Sequence, residues 1–184
     1  MGMFTKVSGS VFDELQLEAG LILKNFSPEA PEVNDGDIVC ATTGGITVSC
    51  VPSYIDMGAD VDNCPENTKE LTKLDSWACK ISFTALNVTP ATLKLALGAA
   101  DVNGNGITPR SELKPEDFAD IWWVGDRSDG GMAAACLKNA LSTGGLSLKT
   151  TKKGKGQLAV ELTGYVSIDA LDEVPMQFFV KEAA

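Results

Sequence analysis

The 184-residue sequence contains no histidine. That removes the commonest general base and the commonest metal ligand, so Ser-His-Asp and Cys-His nucleophile systems and histidine-based zinc sites cannot be built within this chain. Cysteine is present but unpatterned: the five residues Cys40, Cys50, Cys64, Cys79 and Cys136 are odd in number and never spaced C-x-x-C. A secreted disulfide framework or a zinc ribbon would look different, and the expectation is free thiols acting as small core residues in a reducing compartment. No apolar run approaches the roughly 18 residues of a membrane span. The first ten residues lack the apolar core of a signal peptide, so a soluble, unexported chain is expected. Gly154-Lys155-Gly156 has neither the upstream glycine nor the following Ser/Thr of a phosphate-binding loop.

What is there is ordinary for a globular domain: 44% hydrophobic and 22% charged residues. The length fits a single domain over 1–184, large enough to fold without a metal or disulfide staple. The net charge of −10 is uneven. Residues 1–75 hold 13 acids and 4 bases (−9), and residues 76–184 hold 12 acids and 11 bases (−1). Such a surface repels phosphate, which argues against gripping nucleic acid by neutralising its backbone. It suits solubility, or an acidic surface that faces DNA so that DNA does not stick.

Most of the chain reads as β-strand. Residues 20–25 form a short strand, with 10–18 ambiguous, and Pro28, Pro31 and Asn34-Asp35-Gly36-Asp37 mark a loop. Ile38–Ala41 and Ile46–Val51 flank Thr42-Thr43-Gly44-Gly45 and predict a hairpin turning at the two glycines. Trp77, Cys79, Ile81, Phe83 and Ala85 alternate with polar or small residues, the pattern of a half-buried strand. Thr89 as N-cap, Pro90 at the first helical position and Gly98 as stop frame one helix, with Leu93, Ala96 and Leu97 as its buried stripe. Ile121–Gly125 is a strand, and Trp122-Trp123 puts one ring on each of its faces. Met132–Ala140 is alanine-rich yet bracketed by turn residues, so it is read as a strand. The alternation from Gln157 to Asp169 predicts a long strand kinked at Gly164. Pro175 opens a last strand through Val180. The fold class is therefore mainly β (α+β): an antiparallel sandwich or barrel with one flanking helix.

Three stretches could carry function. Residues 52–75 form a long acidic connection that also carries Tyr54, Ile55, Met57, Leu71 and Leu74 and runs into Trp77. Apolar side chains on such an arm call for a partner surface, the alternative being that they fold back on the core. Asp101, Asn103 and Asn105, with Gly106 and Glu112, match the spacing of an EF-hand calcium loop. Thr108, Pro109, the missing second loop and the neutral ligands weigh against calcium, although a calcium-binding interaction module remains the alternative reading. Lys149–Gly156 holds four lysines with no interleaved aromatics. This favours a solvated hairpin tip, or one side of an intersubunit charge pair, over a nucleic-acid site. No enzyme signature and no cofactor motif survives.

The order of these features resembles the major tail tube proteins of long-tailed bacteriophages and related prophages. The resemblance rests on Ala19-Gly20 to Asn25-Phe26, Thr42-Thr43-Gly44-Gly45-Ile46, and the acidic loop ending Leu71-Thr72-Lys73-Leu74-Asp75-Ser76-Trp77. It continues through Ile81–Gly98, Gly130-Gly131 and Leu137-Lys138-Asn139-Ala140-Leu141 to the final strands. It implies a β-sandwich subunit assembled as hexameric rings that stack into a hollow tube, located in the virion tail and built in the host cytoplasm. Inner strands would join between subunits and abolish exposed edges. The loop at 52–75 would reach a neighbouring ring, and the N-terminal segment 1–18 would add contacts. The implied partners are copies of itself, tape-measure, tail-tip and terminator proteins, and DNA passing through the lumen without specific binding, with no membrane role. The tube of a contractile injection or secretion system is the rival within this class.

Overall fold

The computed structural model describes residues 8–183 and is mainly antiparallel β with one α-helix. The strands are β1 (Gln16–Leu23), β2 (Thr42–Asp56), β3 (Thr72–Ala85), β4 (Ala100–Asn103), β5 (Gly106–Pro109), β6 (Ala119–Arg127), β7 (Met132–Ser142), β8 (Ser147–Lys149), β9 (Gln157–Gly164) and β10 (Met176–Lys181), and α1 spans Pro90–Leu97. Eight strands form the main sheet, which divides into two layers, β1-β6-β7-β10 and β2-β3-β9-β8. The layers share a corner where the end of β7 (Ala140–Ser142) pairs with the end of β9 (Leu162–Gly164). Between them lies one core, built from Ile22, Ile81, Phe83, Ile121, Leu137, Leu158, Leu162 and their neighbours.

Strand β7 explains why its alanines do not make a helix. Ala135 stands between Trp123 of β6 and Phe178 of β10, and Ala134 between Val124 and Phe179. Large rings on both flanking strands need small residues between them, and the Trp122 and Phe179 rings meet 5.6 Å apart across this trough. Tertiary packing outweighs a propensity difference of roughly half a kcal/mol per residue. Trp122 and Trp123 do take opposite faces: Trp123 packs on the core and donates to the Ala19 carbonyl, while Trp122 meets Phe26 edge to face outside it.

The helix starts and stops as its sequence requires. Thr89 Oγ1 accepts from Thr92 N, Thr92 Oγ1 accepts from Thr89 N, and Gly98 ends the helix at φ +72°. Its buried positions are Thr92 and Ala96, whereas Leu93 and Leu97 are half-buried, a correction to the expected stripe.

Four other expectations change. Gly44 and Gly45 (φ +76° and +88°) do not turn a hairpin; they form a bulge inside β2, which pairs with β3 from Thr42↔Ala85 to Asp56↔Thr72. The stretch 52–75 is accordingly not a loop. Its ends belong to β2 and β3, and only residues 57–71 make the tip. Strand β9 stops at Gly164, where a side chain would meet Leu137 Cδ1 at 2.7 Å and the Pro175 carbonyl at 2.9 Å. In the N-terminal segment, residues 16–18 are already strand β1 and Leu15 is tied to Ser128, while residues 1–7 lie outside the described part.

Candidate functional site

The β2–β3 hairpin runs out of the body. In β3, Cys79, Ile81, Phe83 and Ala85 are buried, but every residue from Thr72 to Ala78 is exposed. Seven residues at ~3.3 Å each carry the hairpin about 20 Å beyond the core. Its cross-strand pairs include Pro52↔Trp77, Tyr54↔Leu74 and Ile55↔Lys73. Tyr54 is 61% exposed, Met57 60%, Leu74 44% and Trp77 37%. Five of the six apolar residues expected on the arm (Tyr54, Ile55, Met57, Leu74 and Trp77) therefore face solvent together. Leu71 does not: it is half-buried in the tip, its carbonyl accepting from Met57 N and its side chain lying against Gly58. Val51 and Val61 also contribute exposed surface, without a sequence pattern to mark them.

The tip is ordered from within. Asp56 accepts from Asn67 N at 2.9 Å and Gly58 N at 2.8 Å, and these two bonds hold its carboxyl below the usual range. Thr68 Oγ1 donates to the Pro65 carbonyl and Thr72 Oγ1 to that of Thr68. Around this frame, Asp60, Asp62, Glu66 and Glu70 are exposed.

At the root of the arm, Cys50 and Cys79 face each other across the ladder with sulfurs 3.2 Å apart, both free. Desolvation, then the bond to Cys50, pushes the Cys79 thiol up to about 12, which makes it a poor nucleophile at neutral pH.

Two further surfaces lack partners among the described residues. Strand β10 pairs only with β7, and on it Phe178 and Val180 are 60% and 69% exposed. Among the described residues strand β2 pairs only with β3, and its other edge carries no strand partner, Pro52 lacking a donor there. The outward face of β2-β3-β9 carries small hydroxyl side chains such as Ser82, Thr84 and Thr163. Its Lys80 ammonium lies 3.0 Å from Glu161 Oε1, and that contact lowers the Glu161 pKa.

The EF-hand spacing does not fold as helix–loop–helix. Asp101 and Asn103 lie on β4, and Gly104-Asn105 turn the chain into β5, as a two-residue glycine-containing turn should. Asp101 Oδ1 sits 2.9 Å from Arg110 Nε and 3.4 Å from Lys114 Nζ, so two cations already occupy the first ligand position. Glu112 offers its backbone carbonyl to Arg110 Nη1. The buried Asp117 receives Arg110 Nη2 at 2.8 Å and Lys114 N at 2.9 Å; burial pushes its pKa up, but these bonds prevail and hold it low. Among the described residues no cluster of three or more His, Cys, Asp or Glu is arranged to hold a metal ion. No described helix is long and apolar enough to cross a membrane.

The chain matches no protein-family model and no curated protein sequence.

Proposed function

We propose that this protein is a self-assembling structural subunit, the major tail tube protein of a long-tailed bacteriophage or prophage, whose hexameric rings stack into a tube that conducts DNA. The observation that carries this reading is the projecting hairpin, apolar along its stem and anchored in the core sheet. Side chains such as Tyr54, Met57 and Leu74 gain roughly 1 kcal/mol each if a neighbour removes their remaining exposure from water. The open edges of β2 and β10 support the same reading, since ring closure is one way to cover a strand edge.

The hydroxyl-rich outer face of β2-β3-β9 is the wall best suited to passing DNA. Lys80 is neutralised by Glu161, so it offers a phosphate backbone little to hold. The net charge of −10 would add repulsion at the tube's inner surface. Tape-measure, tip and terminator proteins would meet the ends of such a tube.

Negative-stain microscopy of the concentrated protein tests this reading, with rings or hollow tubes expected. A species that sediments as a monomer at every concentration, with and without a tail-tip initiator, would overturn it.

A further inference from the structure

The two ends of the β2-β3-β9-β8 sheet carry opposite charge. At one end stands the arm tip, residues 57–71, with Asp60, Asp62, Glu66 and Glu70 against a single base, Lys69. At the other end, Lys149 at the close of β8 and Lys152, Lys153 and Lys155 in the turn to β9 stand with no acid from 149 to 156. All eight of these acids and turn lysines are exposed. Among the described residues none of the eight takes part in an ion pair.

Strand register fixes their separation. β3 leaves the tip at Thr72 and ends at Ala85; Ala85 partners Leu158, and the adjoining Gln157 partners Lys149. Thirteen steps along β3 put roughly 40 Å between the two clusters. That is several times the Debye length of about 8 Å at physiological salt, so the clusters cannot satisfy each other within one molecule.

We infer that the acidic tip of one copy docks on the lysine turn of the next, joining copies head to tail along the strand direction. This names the receptor for the arm and rests on the building-unit reading above. A second copy is the occupant because this chain carries both complementary patches, at opposite ends of one hydrogen-bonded sheet. Translation along the strands brings unlike ends together, and a contact of this heterologous kind repeats without closing, so it propagates a stack. Lysine suits the position. Its four-carbon stem can lie over the apolar hairpin while its ammonium reaches a tip carboxylate.

Charge reversal in the full-length protein tests the pairing. One variant carries Lys149→Glu, Lys152→Glu, Lys153→Glu and Lys155→Glu. A second carries Asp60→Lys, Asp62→Lys, Glu66→Lys and Glu70→Lys. A third combines both sets. Sedimentation and microscopy read the assembled fraction, and circular dichroism with thermal melting checks that each variant folds. Either reversal alone is expected to cut assembly about tenfold or more, the combination to restore it, and wild-type assembly to weaken between about 0.05 M and about 0.5 M salt. If wild type assembles and both folded reversals assemble equally well, the pairing is wrong while the building-unit reading stands. If wild type forms only open fibres that respond to reversal and salt as expected, the pairing stands and the tube reading fails. A wild type that remains monomeric throughout overturns both.

Discussion

Strand β3 passes through two environments. From Cys79 to Ala85 its inward side chains are sealed between the sheet layers, whereas among the described residues every one from Thr72 to Ala78 is exposed. The backbone ladder with β2 runs through both, interrupted by one bulge in each, at Gly44-Gly45 and at Asp75. Body and arm therefore share one hydrogen-bonded frame and differ in where their apolar side chains find cover. In the body that cover comes from the described chain, and in the arm, on the proposed reading, it would come from another copy. Stability should track the first region and assembly the second.

The strongest way to break this comparison is to remove the tip. Replacing residues 57–71 by an Asn-Gly turn is expected to abolish assembly while moving the monomer melting temperature by only about 2 °C. A shortened protein that still forms tubes would dissolve the distinction. Next in size is a pair of truncations on one strand. Ile81→Ala, at a fully buried site, should cost about 3 kcal/mol and lower the melting temperature by about 6–12 °C. Leu74→Ala on the arm should cost the monomer less than about 0.5 kcal/mol and show its effect in assembly. Equal losses of stability would mean that the arm folds against the body.

The pH response should separate the regions further. Hydrogen bonds from Asn67 N and Gly58 N lower the Asp56 pKa. Its contribution to tip order is thus present above the unfolded carboxyl value of 3.8 and is lost as pH falls through its lower folded value. Amide exchange at Gly58 and Asn67 should accelerate there. In the body, burial pushes the Cys40 and Cys136 thiols up to about 11, and burial together with Cys50 pushes Cys79 up to about 12. Their contribution is complete below the unfolded thiol value of 9.0 and declines as pH rises toward 11–12. Alkaline melting curves should show body stability falling over that window, and a flat profile would count against the buried thiols. The most local effect belongs to Gly58→Ala. A Cβ there would meet Leu71 Cδ1 at 2.9 Å, which should loosen the tip by about 1 kcal/mol, seen as faster exchange at Met57 N with an unchanged global melt.

The same division governs what the sequence disclosed. Elements with at least one buried face announced themselves: the Cys79–Ala85 alternation, the Thr89–Gly98 helix frame, and β7, whose flanking turns outweighed its alanines. The arm did not, because a strand exposed on both faces has no reason to alternate, and Pro52 and the acids made it look like a loop. Gly44-Gly45 misled for a related reason. Two residues with positive φ serve a bulge as well as a turn, and only the partner strand decides which. Beyond Gly164 the opposite error arose: Val166 and Ile168 keep the alternation, yet both are exposed and no strand continues there. The apolar residues of the candidate site were legible as a set, except that Leu71 turned inward. Their arrangement was not, and neither was the placing of acids and lysines at opposite ends of one sheet, which depends on the β3–β9 register.

That register has a mechanical consequence. The arm is the free end of β3, and β3 is bonded to β9 from Lys80↔Thr163 to Ala85↔Leu158 with the two strands antiparallel. A tug on the tip along the strand axis loads all these rungs together in shear, whereas peeling would break them one after another. A column of such subunits under tension would then yield at the joints between molecules before any hairpin was drawn out of its sheet.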